Sequence, residues 1–228
     1  MKNNSLIESI LFPPTKVNRK KLLQAITGKT ILITGASSGI GEQLAYALAP
    51  YDTHLILVAR RQEKLQEIKE IIEKQKAKVT VIPADLRDDA DMERLLHILL
   101  NIENGIHFIV SNAGKSILRS IFDSLDRYHD FTRTMAINYF APVRLFLALI
   151  PTLEKHNGHI IHTSTINAIL IPFPKWAAYQ ASKTAFDVWF QSVQPELNSK
   201  NIQTTTLYLP LVRTPMIEPT KATNTCQR

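Results

Sequence analysis

The sequence contains a single cysteine, Cys226, in 228 residues. One thiol excludes an internal disulfide and a cysteine-rich metal centre, so we predict no bound metal and a cytoplasmic location. No apolar run approaches the roughly 18–20 residues that a membrane-spanning helix requires. The N-terminus also lacks the long apolar stretch with a small-residue cleavage site that is typical of a secretory signal.

Acidic residues are scarce at the start of the chain. Residues 1–29 contain six lysines and arginines against Glu8 alone, which accounts for +5 of the formal net charge of +7. Such a segment could make weak contact with a membrane surface or a phosphate-bearing substrate, although a solvated charged segment is the favoured alternative. We expect residues 1–28 to form a basic extension with two short helices, one beginning near Ser5 and one at Lys20–Ile26. Basic and aromatic residues do not interleave as a single-strand platform requires, so no nucleic-acid partner is predicted.

Strand and helix patterns alternate regularly from residue 29 onward, and we expect residues 29–228 to form one domain. The predicted strands are Ile31–Thr34, His54–Ala59, Val79–Ala84, Ile106–Val110, Gly158–Thr163 and Ile202–Leu209. The predicted helices are Gly39–Leu48, Gln62–Lys76, Ala90–Leu100, Phe131–Leu153 and Ala177–Asn198. This alternation predicts an α/β fold in which a parallel sheet lies between two layers of helices.

Glycine is also rare, and three of the seven glycines lie together between the first predicted strand and the first predicted helix. Glycines allow a tight turn and a close approach to a ligand, while the N-terminus of the helix offers free N–H groups and a partial positive charge. A strand, a glycine-rich turn and a helix in this order predict a site for the diphosphate of a dinucleotide. The candidate binding residues are Gly35, Ser37, Ser38, Gly39, Ile40 and Gly41.

Two arginines, Arg60 and Arg61, follow the second predicted strand. A site selective for NAD usually has an acidic residue near this point, where it binds the ribose 2′-hydroxyl. Arginines would instead attract a 2′-phosphate, so NADP is predicted over NAD. The alternative is that both arginines begin a solvated helix and pair with Glu63 or Glu67.

Tyr179 and Lys183 are four residues apart in a predicted helix, which places them on one face. An ammonium group beside a phenol lowers the pKa of the phenol, and Tyr179 could then exchange a proton with a substrate. This spacing is common on helix surfaces, so its meaning depends on the motifs that accompany it.

The accompanying motifs are Thr34-Gly35-x-x-x-Gly39-x-Gly41, Asn112-Ala113-Gly114 and Asn138. Together with Tyr179 and Lys183, in this order and at these separations, they resemble the short-chain dehydrogenase/reductase family from about Lys29 to Met216. The resemblance implies a Rossmann-type doubly wound sheet, a nicotinamide cofactor and a Ser–Tyr–Lys–Asn catalytic group.

Within that resemblance, Tyr179 would donate the proton, Lys183 would bind the nicotinamide ribose and Asn138 would help to hold a proton-relay water. The implied catalytic hydroxyl is Thr165 by spacing, whereas the chemistry favours Ser164, and both stay open. Further cofactor contacts are implied for Asp85, Leu86, Asn112, Ala113, Gly114, Pro210, Val212 and Thr214. His129 and His162 are interpreted as packing or hydrogen-bonding residues.

Residues 112–117, 122–130 and 209–216 also resemble those of bacterial fatty acyl-CoA reductases that make aldehydes. The implied function is NADP-dependent hydride transfer between nicotinamide and a carbonyl, with a fatty acyl-CoA thioester or a lipophilic aldehyde or ketone as substrate. Hydride transfer to a thioester requires no enzyme thiolate, so the lone Cys226 does not contradict it. The alternatives are a dehydrogenase for another alcohol or ketone, and a truncated cofactor-binding remnant without activity.

The sequence departs from the family pattern in two places. Pro210 is followed by Leu211 where the family has glycine, and the chain ends about a dozen residues after Met216. Family members continue through a substrate-covering helix and a seventh strand. We therefore expect six strands, with the sixth strand at an exposed edge of the sheet, and the formation of a homo-oligomer stays open.

Overall fold

The computed structural model describes residues 18–216. The predicted first helix, near Ser5, and Cys226 lie outside the described residues. The strands are β1 (Lys29–Thr34), β2 (Thr53–Ala59), β3 (Lys78–Pro83), β4 (Phe108–Ser111), β5 (His159–Thr165) and β6 (Gln203–Leu209). The helices are α1 (Arg19–Ile26), α2 (Gly39–Leu48), α3 (Gln62–Ile72), α4 (Asp89–Leu100), α5 (Tyr128–Met135), α6 (Ala141–His156) and α7 (Ala177–Ser199).

The six strands form one parallel sheet in the order β3-β2-β1-β4-β5-β6. The chain proceeds outward from β1 to β3 and then crosses back to β4 on the other side of β1. This reversal confirms the predicted doubly wound α/β fold. It also creates a crevice at the carboxyl ends of β1 and β4, where ligands bind in open parallel sheets.

The sheet is covered on both faces by apolar clusters. On one face, Phe146 of α6 and Phe186 of α7 lie with ring centroids 5.8 Å apart, in a cluster that also includes residues of α4. On the other face, residues of α2 and α3 pack against β1 and β2, and Ile26 of α1 is buried among them. Burial on both sides explains why β1, β2 and β4 are nearly continuously apolar, whereas the edge strand β6 has no fully buried residue.

The helix predicted over Phe131–Leu153 lies within a continuous helical segment, Tyr128–His156, but its middle is not regular α-helix. A π-helical turn, Ala136–Phe140, separates α5 from α6, and the N–H of Ala141 donates to the carbonyl of Ala136, five residues back. Pro142 does not kink a long helix but lies at the start of α6, where a proline is tolerated. Short π turns inside helices are often found at functional sites.

The continuous helical segment Tyr128–His156 is long and apolar enough to cross a membrane, judged by length and composition alone. A core helix of a globular protein satisfies the same criteria. Here Leu145, Phe146, Leu149 and Leu153 are buried against the sheet, so packing in the core accounts for part of the apolar composition of this segment, whose apolar window is 39% buried.

Candidate active site

A cavity of about 560 Å³ opens at the carboxyl ends of the central strands. Its wall combines the glycine-rich turn after β1 with the ends of β2, β3 and β4 and with the loop after β6. The sequence-predicted residues in this wall are Gly35, Ser37, Ser38, Gly39, Ile40, Arg60, Arg61, Asp85, Leu86, Asn112, Ala113, Gly114 and Thr214. Five predicted cofactor-binding residues are not among the residues that line it, namely Gly41, Tyr179, Lys183, Pro210 and Val212, whereas Pro215 and Met216 are.

The glycine-rich turn has the geometry that a close ligand contact needs. Gly35 and Gly39 have φ values of +67° and +61°, in the left-handed region that favours glycine. A Cβ on Gly41 would lie 2.5 Å from the carbonyl oxygen of Gly35 and 2.8 Å from Nδ2 of Asn112. Ser38 precedes α2 without a side-chain cap hydrogen bond. The turn therefore brings bare backbone to the N-terminus of α2, as a diphosphate requires.

Thr34 and Asn112 connect the glycine-rich turn to the loop after β4. The Thr34 hydroxyl accepts hydrogen bonds from the backbone N–H groups of Asn112 and Ala113, both at 3.0 Å. In return, Nδ2 of Asn112 donates to the carbonyls of Thr34 and Gly35 at 3.2 and 3.4 Å. Asn112 thus fixes the backbone of the turn. Thr34 was not among the predicted site residues, although it directly precedes Gly35.

Arg61 reaches back to the same turn. Its Nη2 donates to the carbonyl of Ser37 at 2.9 Å and to the Ser37 hydroxyl at 3.2 Å. Within residues 18–216, neither Arg60 nor Arg61 forms an ion pair with Glu63 or Glu67. Arg61 therefore joins the glycine-rich turn to the start of α3, and both arginines are exposed side chains of the cavity wall.

Four cationic residues in the cavity wall were not predicted, namely Arg87, Lys115, Arg119 and Arg133. Burial lowers the pKa of Lys115, and the charges of Arg133, Arg87 and Arg60 act in the same direction. Two of the four were adjacent to predicted residues, since Arg87 follows Leu86 and Lys115 follows Gly114. Their accumulation makes the cleft suitable for a multiply charged anion.

Asp85 is the predicted acid in the cavity wall, and Arg87 neutralises it. The Arg87 guanidinium donates from Nε to Oδ1 at 3.0 Å and from Nη2 to Oδ2 at 2.6 Å. This hydrogen-bonded partner holds the pKa of the Asp85 carboxyl below its usual range, although burial opposes the shift. An ionised Asp85 therefore does not repel an anionic ligand, because its charge is balanced within the pair.

A second carboxylate, Asp130 at the start of α5, joins Arg119 and Arg133 of the cavity wall to Arg127. It is 1% exposed and accepts from Nε of Arg119 and Nε of Arg127, both at 3.1 Å, and it pairs with Arg133. Burial raises its pKa, but the hydrogen bond from Arg127 and the three positive charges outweigh that effect and lower it. The network anchors α5 to the loop after β4. The neighbouring His129 is exposed and lies 3.5 Å from this carboxylate.

Asn138 lies within the π turn and is 1% exposed. Its Oδ1 accepts from the N–H of Lys115, and its Nδ2 donates to the carbonyl of Lys115 and to the Ser182 hydroxyl, all at 2.9 Å. The side chain therefore ties the loop after β4 to α7. In a regular α-helix the backbone carbonyl of Asn138 would accept from residue 142, but Pro142 has no N–H to donate.

The side chains of Lys183 and Asn138 both lie next to Gly114. A Cβ on Gly114 would lie 3.1 Å from Oδ1 of Asn138 and 3.8 Å from Nζ of Lys183. The ammonium donates to the carbonyl of Thr163 at 3.0 Å and is buried. Burial lowers the pKa of Lys183 to about 8, and the charge of Asp187 acts in the opposite direction. Gly114 thus separates the lysine from the cavity by backbone alone.

The predicted pKa effect on Tyr179 is wrong in sign. Burial raises the pKa of the Tyr179 phenol, and a hydrogen bond with the Thr165 side chain lowers it in part. The expectation rested on helical spacing to Lys183, but spacing alone does not include the loss of hydration that both groups undergo in the folded chain.

The two candidate hydroxyls, Ser164 and Thr165, differ in their surroundings. The Thr165 side chain lies close enough to the Tyr179 phenol to lower its pKa in part, and its hydroxyl accepts from the N–H of Asn167 at 3.3 Å. Among the described residues, the buried Ser164 hydroxyl has no hydrogen-bond partner. The contact with Tyr179 therefore favours Thr165 as the hydroxyl nearer to the reacting group.

His162 packs against the aromatic core, in agreement with its interpretation from the sequence. Its ring centroid lies 4.3 Å from that of Phe186 and 6.0 Å from that of Phe190. Burial lowers the pKa of His162 well below its usual value, so the ring is neutral. In the part of the chain that the structure describes, no group of three or more His, Cys, Asp or Glu residues could hold a metal ion.

Comparisons with known proteins agree with this geometry. Residues 29–225 match the model of the family described as short chain dehydrogenase. The chain is 44% identical over 197 residues to a fatty acyl-CoA reductase of Acinetobacter baylyi, with 86% of this chain and 66% of that protein covered. It is 38% identical over 212 residues to a fatty acyl-CoA reductase of Mycobacterium tuberculosis, with 92% and 72% covered.

Among solved structures, the chain is similar to a short-chain dehydrogenase from Sphingobium yanoikuyae in complex with NADPH. The TM-score is 0.76 at 26% identity, and the match covers 82% of this chain and 73% of that one. The chain thus spans about two thirds of the length of the curated relatives it matches, at 66% for the Acinetobacter protein.

Proposed function

We propose a function from one premise, which is that this chain belongs to the short-chain dehydrogenase family. We infer that it is an NADP-dependent oxidoreductase that reduces the carbonyl of a fatty acyl-CoA thioester or of a lipophilic aldehyde or ketone. The observation that carries the proposal is the meeting of Asn138 and Lys183 at Gly114, which also lines the glycine-rich cleft.

The residues of the cleft fit a nicotinamide dinucleotide phosphate. The backbone from Gly35 to Gly41 would hold the diphosphate at the N-terminus of α2. Arg60 and Arg61 would bind the 2′-phosphate, and Asp85 and Leu86 would lie beside the adenine. When bound, such a cofactor supplies the hydride that reduces a carbonyl carbon.

Side chains and backbone groups of the protein would supply the proton that the reduced carbonyl oxygen requires. Tyr179 would donate its phenolic proton to the carbonyl oxygen, and the Thr165 hydroxyl would orient that oxygen. Lys183 would bind the nicotinamide ribose. The backbone carbonyl of Asn138, which receives no hydrogen bond from Pro142, would hold a water that returns a proton from solvent.

Exposed apolar side chains support a lipophilic substrate. Phe122 and Leu125, in the segment after β4, are 82% and 83% exposed, and Ile171, in the segment after β5, is 84% exposed. The two segments are joined by a hydrogen bond of 2.8 Å from the N–H of Arg119 to the carbonyl of Lys175. The first segment follows β4, which ends at Ser111, and the second follows β5, which ends at Thr165. An alkyl chain could therefore lie along both segments beside the proposed active site.

The names of the two bacterial relatives favour a thioester. Hydride addition to an acyl-CoA carbonyl and proton transfer from Tyr179 give a hemithioacetal. Its C–S bond then breaks to release an aldehyde and free CoA thiol. In the overall reaction, acyl-CoA, NADPH and one proton are converted to aldehyde, CoA and NADP⁺. No acyl-enzyme forms on a cysteine.

The cofactor is tested by titrating the protein with NADPH and with NADH while following nicotinamide fluorescence. We expect tighter binding of NADPH, and we expect Arg60→Ala, which leaves the contacts of Arg61 with the turn intact, to weaken it at least tenfold while NADH binding changes little. Arg144→Ala is the matched control, because Arg144 pairs with Asp89 on α4 and does not line the cavity. Equal loss of NADH and NADPH binding would contradict a 2′-phosphate site.

The substrate is tested by following NADPH oxidation with palmitoyl-CoA and with a panel of aldehydes and ketones. Tyr179→Phe keeps the ring and removes the proton donor, so it should bind NADPH normally and lose most turnover. Turnover confined to small ketones would favour the alternative of a dehydrogenase for another alcohol or ketone. Cofactor binding without turnover of any substrate would favour the inactive remnant.

Three further properties stay predictions. A cytoplasmic location and weak membrane contact through the basic residues 1–29 come from the sequence. Self-association is the third, and Leu147 of α6 and Val188 of α7, both 59% exposed, offer an apolar surface for it. Light scattering of the purified chain would measure the oligomeric state.

A further inference from the structure

Helix α7 carries a row of polar side chains that extends beyond the proposed active site. Tyr179, Lys183, Asp187 and Gln191 follow one another at intervals of four residues. Residues at this spacing lie on one face of a helix. The first two belong to the proposed active site, whereas Asp187 has no role in it and is only 3% exposed.

Two neutral donors hold the Asp187 carboxylate. The Tyr208 hydroxyl donates to Oδ1 at 2.8 Å, and Nε2 of Gln191 donates to Oδ2 at 2.6 Å. Within residues 18–216, no lysine, arginine or histidine comes within 4.0 Å of this carboxylate to form an ion pair. A buried carboxylate without a direct counter-charge is unusual, because burial of a charge is unfavourable unless it is compensated.

One turn earlier in the same helix, Lys183 is a buried cation that likewise has no direct counter-charge within the described part of the chain. Lys183 is 6% exposed, and its one hydrogen bond in the described chain is to the carbonyl of Thr163. Burial favours the uncharged amine and lowers the pKa of Lys183 to about 8, while Asp187 acts against this loss of charge.

The other titratable groups around this pair do not replace Asp187. His162 of β5 is neutral, since burial lowers its pKa. Burial raises the pKa of Tyr179 on α7 and that of Tyr208 on β6, so both phenols are neutral near pH 7. Asp187 is therefore the anionic group of the described residues that acts on Lys183.

We propose that Asp187 is a positioning residue that keeps the Lys183 ammonium charged within the buried end of α7. Tyr208 and Gln191 orient the carboxylate, and the carboxylate acts on the cofactor only through the lysine. The inference rests on the proposed function, because it requires that Lys183 bind the ribose of a nicotinamide cofactor.

The sign of the pH effect follows from the lysine. Lys183 is charged below its pKa of about 8, so its contribution to cofactor binding is present at lower pH and is lost as the pH rises through that value. Asp187→Asn keeps the size and removes the negative charge. Without that charge the lysine should lose its proton earlier, by about one pH unit.

The experiment measures the Kd of NADPH by fluorescence from pH 6 to pH 10, for the wild-type chain and for variants whose folding is checked by circular dichroism. Glu196→Gln is the matched control, because it removes one negative charge from an exposed position on the same helix. The 2′-phosphate of NADPH titrates near pH 6, but it does so equally with every variant. No substrate is needed, so the measurement is independent of the reaction.

We expect Asp187→Asn to bind NADPH as the wild type does at pH 6 and about fivefold more weakly at pH 8, where the shift of one pH unit leaves about a tenth rather than half of the lysine charged. Glu196→Gln should follow the wild type throughout, and Asp187→Glu should restore its profile. A profile of Asp187→Asn parallel to the wild type, or weaker by the same factor at every pH, would overturn the inference. If Asp187→Asn does not fold, Asp187→Ser removes the same charge with a smaller side chain. Failure of every protein to bind NADPH would instead overturn the proposed function itself.

Discussion

Gly41→Ala has two opposing effects on stability. Alanine has a higher helix propensity than glycine, but its Cβ would come too close to a neighbouring loop. Gly41 is the third residue of α2 and has an ordinary helical backbone, so alanine would by itself favour the helix by about 1 kcal/mol. The added Cβ, however, would lie 2.5 Å from the carbonyl oxygen of Gly35 and 2.8 Å from Nδ2 of Asn112.

The magnitude follows from the distance that must open. To reach even 3.0 Å, the tightest separation that real Cβ atoms show, the helix and the Gly35 carbonyl must move apart by 3.0 minus 2.5, or 0.5 Å. Such overpacking costs about 1–3 kcal/mol. After the gain in helix propensity is subtracted, we expect a net loss of about 1 kcal/mol and a fall of about 3 °C in Tm. NADPH affinity should fall at least tenfold, because the displaced carbonyl belongs to the turn that would hold the diphosphate.

The assay compares the thermal midpoint and the Kd of NADPH in Gly41→Ala and in Gly28→Ala. Gly28 has φ +70°, and a Cβ at this position would have no atom within 4 Å, so its variant should lose about 1 kcal/mol from backbone strain alone. Gly28 lies outside the cavity wall, and its variant should bind NADPH like the wild type. Equal affinities in the two variants would refute the argument that the contact at Gly41 shapes the cofactor site.

Two further predictions concern the substrate side of the cleft and the helix beside it. Thr165→Ala should lower turnover by about 100-fold in steady-state NADPH oxidation, whereas Ser164→Ala should leave turnover nearly intact, and the reverse result would assign the role to Ser164. Asp130→Asn should destabilise the chain by about 2 kcal/mol in urea unfolding, because three partly exposed arginines lose their buried counter-charge. Since the folded chain lowers the pKa of Asp130, its stabilisation is present above about pH 4 and is lost as the pH falls, so this acid-dependent component should be missing in the variant.

The order of strands and helices could be predicted because each element has a local signal. The apolar run at Ile31–Thr34, the glycines that follow it and the helical spacing after Gly41 together determine the first strand, turn and helix. Parallel pairing of six such strands leaves few topologies, and the crevice beside β1 follows from the fold class.

The side-chain contacts and pKa values of the candidate site could not be predicted, because they depend on contacts between residues that are distant in sequence. Asn138 bonds to Lys115 and Ser182, and no periodicity at position 138 indicates either partner. The pKa of Tyr179 is set by burial, which helical spacing to Lys183 does not reveal. For the loop after β6, the motif correctly identified Thr214 as a residue of the cavity wall, but Pro215 and Met216 line the cavity in place of Pro210 and Val212, because a short loop can present different side chains from the same sequence pattern.

The π turn has a consequence for the number of residues that this part of the chain can contain. A π turn contains one residue more than an α turn, so deleting one residue between Ala136 and Phe140 would restore a regular α-helix without rotating α5 against α6. Asn138 would then lose the position within the turn from which its side chain bonds to Lys115 and Ser182. The length of this segment is therefore a constraint in its own right, and a relative with a one-residue gap here should have a differently built catalytic centre even if every motif is intact.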